Sequence, residues 1–186
     1  MEKKYELTER YIIHNDKKLY RIRALKDFGF VKAGTLGGFI ESEQNLSQEG
    51  NCWVSHEAMV FDDAVVKDNA IVRGRSKVSG NATIAGDAVI EDTAIVKDFV
   101  LVRDHATVQH NAKLSDHVVI FSNALVKGNA KIRHSAYVGG DCIITDNATV
   151  AGFAKLIGPV SVRENAYIGG ITMRFSCRDI KGFRLF

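Results

Sequence analysis

The sequence predicts an all-β chain wound as a parallel β-helix of triangular coils, and two observations carry that prediction. Residues 51–169 repeat every six residues without an insertion or a deletion. In addition, residues eighteen apart form matching columns, so that Asn111, Asn129, Asn147 and Asn165 fall one above another. Stacked Asn ladders of this kind belong to parallel, in-register strands.

Each unit opens on a small residue, with an aliphatic residue two places later. The series runs from Cys52/Val54 and Ala58/Val60 through Ala124/Val126 to Ala166/Ile168, twenty units in all. Side chains two apart face one side of a strand, so each pair points into a common core. A helix is excluded, because apolar residues two apart in a period of six make no helical stripe. Such self-similarity defines the architecture before any other feature does. The two positions ahead of each small residue are turn-formers, as in Asp68-Asn69, Gly80-Asn81, Gly128-Asn129 and Asp146-Asn147. Gly and Asn accept positive φ at low cost, and Asx side chains bond local backbone. A unit is therefore a four-residue strand plus a two-residue corner. Three units close a triangle, and nearly seven coils at about 4.8 Å each make a prism roughly 30 Å long.

Residues 1–50 precede the clean repeat and are expected to form an N-terminal β cap. Tyr11-Ile12-Ile13, a polar turn over residues 14–18, and Leu19 to Leu25 read as two strands of a hairpin. The run Leu36-Gly37-Gly38-Phe39-Ile40-Glu41 follows. Its paired glycines suit close packing on the open end of a coil, which must be covered. A phosphate-binding role is the alternative, although no helix follows to lend its dipole. Residues 170–186 break the beat and alternate basic and aromatic residues. They read as a C-terminal cap, or as a basic-aromatic arm of the kind that binds nucleic acid.

Composition fits one globular domain: 46% hydrophobic residues and one Pro leave little room for disorder. No apolar run reaches transmembrane length, so no membrane partner is expected. The start Met1-Glu2-Lys3-Lys4-Tyr5 has no apolar leader. Cys52, Cys142 and Cys177 are an odd count without a framework, which points to reduced thiols and a cytoplasmic location. A net charge of +3 is too small to predict a nucleic-acid partner.

The repeat resembles the hexapeptide-repeat proteins, and that resemblance implies a left-handed helix. Gly or Asp falls one place later than in the usual hexapeptide signature, as in Val78-Ser79-Gly80-Asn81-Ala82. That shifted form is similar to the YdcK-like repeat proteins of bacterial and phage genomes. So are Leu36-Gly37-Gly38-Phe39-Ile40-Glu41, Asn45-Leu46-Ser47 and Cys52-Trp53-Val54. The resemblance implies a homo-oligomer, usually a trimer. It also implies either a phage-type factor that binds or sequesters a host component or a CoA-dependent acyltransferase.

Positions one and three after each small residue are expected to face outward, giving three walls. One is basic, with Lys77, Lys97, Lys113, Lys131 and Arg133. A second is apolar, with Val65, Leu101, Val119, Phe121, Tyr137 and Ile157. The third mixes Ile71, Val89, Leu125 and Ile143 with Arg73, Glu91, Lys127 and Arg163. A wall as apolar as the second marks an oligomer interface, unless a terminal segment folds over it. The basic wall is either plainly solvated or an anion-binding face for a phosphorylated ligand or an acidic partner.

Hexapeptide acyltransferases use a His base, and such a base must reach the acceptor it deprotonates. Here His56, His105, His110, His117 and His134 all fall at corners. His117 and His134 lie on successive coils of one corner, Asp116 lies under His134, and Asp92 lies under His110. These are the candidate bases and carboxylates of an acetyl-CoA enzyme. Against that role, no loop interrupts the repeat to shape an acceptor pocket, and corner positions tolerate His for backbone reasons alone. No metal is expected. Compared with the hexapeptide carbonic anhydrases, His105 and His110 have the right five-residue separation, but the third ligand position holds Asn69. The first reading is a non-enzymatic, self-associating scaffold without a cofactor that binds a host protein or a small anion. The alternatives are an acyltransferase acting through His117 and His134, and a protein that binds small nucleotides between subunits through Lys113, Lys131 and Arg133, without turnover.

Overall fold

The computed structural model describes residues 2–170, 172–174, 178–182 and 184–185. Beyond a hairpin at the N-terminal side, the chain is a parallel β-solenoid of about 8 turns. The strands of the repeat are two to four residues long, and each pairs in register with the strands one coil before and after it. Lys113–Leu114 pairs with Ile95–Val96 on one side and with Lys131–Ile132 on the other, a step of eighteen residues each way. Strands of two residues are stable here because every coil lends its backbone groups to the next. The bond from Lys113 N–H to Ala130 C=O, 2.9 Å, recurs at equivalent places along the prism.

Inside, the small and aliphatic columns are sealed. Ala124, Val126, Ala130 and Ile132 have no exposed surface, and the same holds for most of their counterparts. Ala at one inward position and Val, Ile or Leu at the next fill the triangle, which leaves no room for a larger residue in the small column.

At each corner the first residue adopts positive φ. His134 has φ +63°, Asp116 +65° and Gly128 +69°. Asn, Asp, His and Gly tolerate this region best, which accounts for the corner composition. The second corner residues build the ladders anticipated above. Asn111 Nδ2 donates to Asn129 Oδ1 at 3.0 Å, Asn129 to Asn147 at 3.1 Å, and Asn147 to Asn165 at 3.3 Å.

The stacking reaches beyond residues 51–169 on both sides. Strand β1 (Tyr5–His14) and strand β2 (Lys17–Ala24) form an antiparallel hairpin whose turn, Asn15-Asp16, has positive φ at both residues. Strand β3 (Leu36–Ile40) pairs antiparallel with β2 but parallel with Met59–Val60, so it belongs to the first coil. Gly37 and Gly38 are forced by this contact: a Cβ on Gly37 would meet Ile22 at 2.5 Å, and one on Gly38 would meet the Ala58 carbonyl at 2.6 Å. That packing leaves no space for a phosphate. Under the hairpin, Lys4 is buried and its ammonium donates to the carbonyls of Glu49, Gly50 and Cys52 and to Cys52 Sγ. Tyr5 OH donates to the Leu46 carbonyl at 2.6 Å. Burial pushes the Tyr5 hydroxyl well above its ordinary value, so it stays a donor.

At the other end Thr172–Arg174, Arg178–Lys181 and Arg184–Leu185 extend all three sheets by another turn. Cys177 and the aromatic residues Phe175, Phe183 and Phe186 lie outside the described residues.

Candidate functional site

The three walls follow the three sheets. The basic wall comprises Met59–Val60, Lys77–Val78, Ile95–Val96, Lys113–Leu114, Lys131–Ile132, Thr149–Val150 and Tyr167–Ile168. Its outward side chains bring Lys113, Lys131 and Arg133 to the surface on adjacent coils, with Lys97 one coil earlier and Lys77 one coil before that. Lys97 lies 3.5 Å from Asp98. Lys77, Lys113, Lys131 and Arg133 have no carboxylate partner among the described residues. Lys113 and Lys131 face each other directly across neighbouring strands, where like charges repel. Ile95, Lys97, Lys113, Ser115, Lys131 and Arg133 surround a shallow depression of about 410 Å³. The hairpin bounds the wall on the N-terminal side, where His14 sets its ring edge on Phe61, 5.3 Å between centroids.

On the apolar wall Val65, Leu101, Val119, Phe121, Tyr137 and Ile157 are each half-buried. Phe121 and Tyr137 sit 4.5 Å apart between centroids. The Arg103 guanidinium covers Phe121, and the Lys155 ammonium covers Tyr137, each at 5.2 Å. Gly139 makes this possible, since a Cβ there would lie 2.0 Å from the Phe121 ring. Among the described residues, neither the hairpin nor the extra C-terminal coil pairs across this face; the strand Thr172–Arg174 lengthens the sheet.

The corner histidines form a different arrangement from catalytic pairs. Asp116 Oδ2 accepts the backbone N–H of His134 at 2.7 Å, so the carboxylate meets the His134 main chain. Asp92 Oδ2 likewise accepts the His110 N–H at 3.0 Å and lies 3.8 Å from His110 Nε2. The imidazoles repeat the same act one coil up. His110 Nδ1 accepts the Gly128 N–H at 3.3 Å, and His134 Nδ1 accepts the Gly152 N–H at 3.2 Å. Asp62, Asp68, Asp98, Asp104 and Asp146 do this too. For Asp104 the bond to Ser122 N–H, with Arg103 alongside, holds the carboxyl below its usual range. Where the first corner residue is Asp, or His110 or His134, its side chain thus accepts the amide of the coil above, and glycines such as Gly80, Gly86, Gly128 and Gly152 interrupt these acceptors. Nδ1 as an acceptor puts the proton on Nε2 in His110 and His134.

His117, like His105, is the second residue of its corner. Its exposed ring stacks on Phe99, 4.9 Å between centroids and 9° between planes. His105 Nδ1 lies 3.4 Å from Asp87, and no three His, Cys, Asp or Glu side chains among the described residues gather as a metal site. One feature of this corner was missed from the sequence, although the eighteen-residue column carried the signal. Phe99, His117, Ser135 and Phe153 are consecutive rungs, and Phe153 is 74% exposed.

A parallel solenoid with eighteen-residue turns and small-plus-aliphatic inward pairs fits a hexapeptide-repeat β-helix. Over 60 residues the chain is 45% identical to "Uncharacterized acetyltransferase YdcK" of Escherichia coli (strain K12), a match covering 28% of this chain and 18% of that protein. The similarity therefore spans less than a fifth of the relative's length. No model of a known protein family matches the chain. Among the described residues, no helix is long and apolar enough to cross a membrane.

Proposed function

We propose that the chain is a binding protein: a stiff three-walled prism that takes an anionic ligand on its basic wall and self-associates through the wall of Phe121 and Tyr137. One observation carries the reading. Lys113, Lys131 and Arg133 stand on adjacent coils with no carboxylate partner among the described residues, on a prism that elsewhere pairs Arg73 with Glu91 and Arg163 with Asp179. Uncompensated like charge in a sheet is destabilising, and an anion relieves it. The half-buried apolar strip supports self-association, and a trimer is the expected form.

Titration of inorganic tripolyphosphate by calorimetry tests the ligand. Binding that weakens at least tenfold in Lys131→Glu and Arg133→Glu supports the reading, and no heat up to millimolar concentration overturns it. Light scattering tests the assembly, where a mass of 20.5 kDa at micromolar concentration would exclude it.

A second reading is favoured by the acetyltransferase name of the relative: a CoA-dependent acyltransferase with acetyl-CoA as donor. His117 would then be the base, because its imidazole alone in that corner pair is not engaged by backbone. Acetyl-CoA binding that is lost in His117→Ala, together with acyl transfer, would replace the first reading by this one.

A further inference from the structure

The corner between the basic wall and the apolar wall carries a stack with one rung open. Phe99, His117, Ser135 and Phe153 are held in line by corner backbone bonds: Phe99 N–H to Asp116 C=O at 2.8 Å, His117 N–H to His134 C=O at 2.7 Å, and Ser135 N–H to Gly152 C=O at 2.9 Å. Successive rungs are one coil apart, about 4.8 Å. The pair below shows what the spacing does: Phe99 and His117 lie 4.9 Å apart and nearly parallel. Above them Ser135 has no ring, and two coil steps separate His117 from Phe153, about 9.6 Å. A planar ring placed over Ser135 would lie about 4.8 Å from each neighbour, inside the range in which aromatic rings stack. Phe153 is 74% exposed, the highest of the large hydrophobic side chains among the described residues, so its face is open to receive one.

The surroundings define what that ring is attached to. Arg133 is on the same coil as Ser135, two residues before it, and Lys131 lies on the strand Lys131–Ile132 just ahead of Arg133. Lys113 stands one coil below, and among the described residues none of the three has a carboxylate partner. A flat slot between the rings of His117 and Phe153, next to three cations, matches a flat ring bearing several negative charges. We infer that the open rung at Ser135 receives the base of a nucleoside polyphosphate, between His117 and Phe153, with its phosphates on Lys113, Lys131 and Arg133. Stacking tolerates any base, since each has a π-face, so the site selects nucleotides as a class. This inference rests on the anion-binding reading of the basic wall.

Calorimetry with ATP, adenosine and tripolyphosphate on the full chain separates the two ideas. The expected order is ATP tightest, at least tenfold tighter than tripolyphosphate, because one stacked base is worth about that factor. Ser135→Phe fills the rung without touching the core, and Phe153→Ala removes one plate. Each should weaken ATP about tenfold and leave tripolyphosphate within about twofold. Upfield ring-current shifts of the adenine protons on binding should disappear in both variants. ATP no tighter than tripolyphosphate, or unmoved by Ser135→Phe, overturns the slot while the basic wall stands. No binding of either compound overturns both.

Discussion

Replacing His134 distinguishes a backbone role from a chemical one. Its φ of +63° is costly for a side chain without local hydrogen bonding, and its Nδ1 holds the Gly152 amide at 3.2 Å. His134→Ala keeps the backbone conformation and removes the acceptor. The lost bond is worth about 1 kcal/mol, since the Cβ in the left-handed region is present in both residues. A loss of about 1 kcal/mol should lower Tm by roughly 2–4 °C in a domain of this size. His134→Asp should restore most of it, because Asp62, Asp98 and Asp116 occupy equivalent corners and accept the next coil's amide at 2.9, 3.1 and 2.7 Å. Circular dichroism melts report the global effect, and hydrogen exchange of the Gly152 amide reports the local one. If His134→Ala melts with the native protein and Gly152 keeps its protection, the bond contributes nothing and the corner argument fails. If His134→Asp is as weak as His134→Ala, the acceptor is not what the corner requires.

Lys4→Ala leaves the Glu49, Gly50 and Cys52 carbonyls without their buried donor and should cost about 2–4 kcal/mol, read in urea by the fluorescence of buried Trp53. Ile120→Ala opens a void in a fully buried column, with an expected loss of about 3 kcal/mol and a visibly broader thermal transition. Acid should act through His14, whose titration is pushed below its ordinary 6.5 by burial and by Lys77. Between its folded value and 6.5 the unfolded chain binds the extra proton, so stability is complete above 6.5 and declines as pH falls below it. In His14→Phe that segment of the pH–stability curve should flatten, while a curve identical to the native one would refute the assignment.

The prism was legible because one rule, small then aliphatic every six residues, decides which side chains face inward. Lys77, Lys113, Lys131 and Arg133 were legible on one wall for the same reason. The first and last coils were not, because their steps differ. Phe39 pairs with Met59 and Leu46 with Val66, twenty residues apart, while Lys155 pairs with Thr172 and Tyr167 with Arg184, seventeen apart. A period search reads such slips as an end to the repeat, although backbone pairing continues through them. The contacts of the corner pairs were not legible either. Asp116 under His134 has the composition of a base and its carboxylate, yet column position alone does not say whether a carboxylate meets the ring or the main chain. Lys4 gave no signal at all, since a lysine near a chain start is ordinarily solvated and only the carbonyls of Glu49, Gly50 and Cys52 make it a buried donor.

Because the coils of the central repeat pair through the same backbone bonds every eighteen residues, the molecule is graduated like a ruler. Excising a whole turn moves two parts of the surface closer by one fixed mark and leaves each seam chemically familiar. Removing any other number of residues would set the remaining marks out of line. Distance between recognition features can therefore evolve in whole steps, independently of the chemistry of those features.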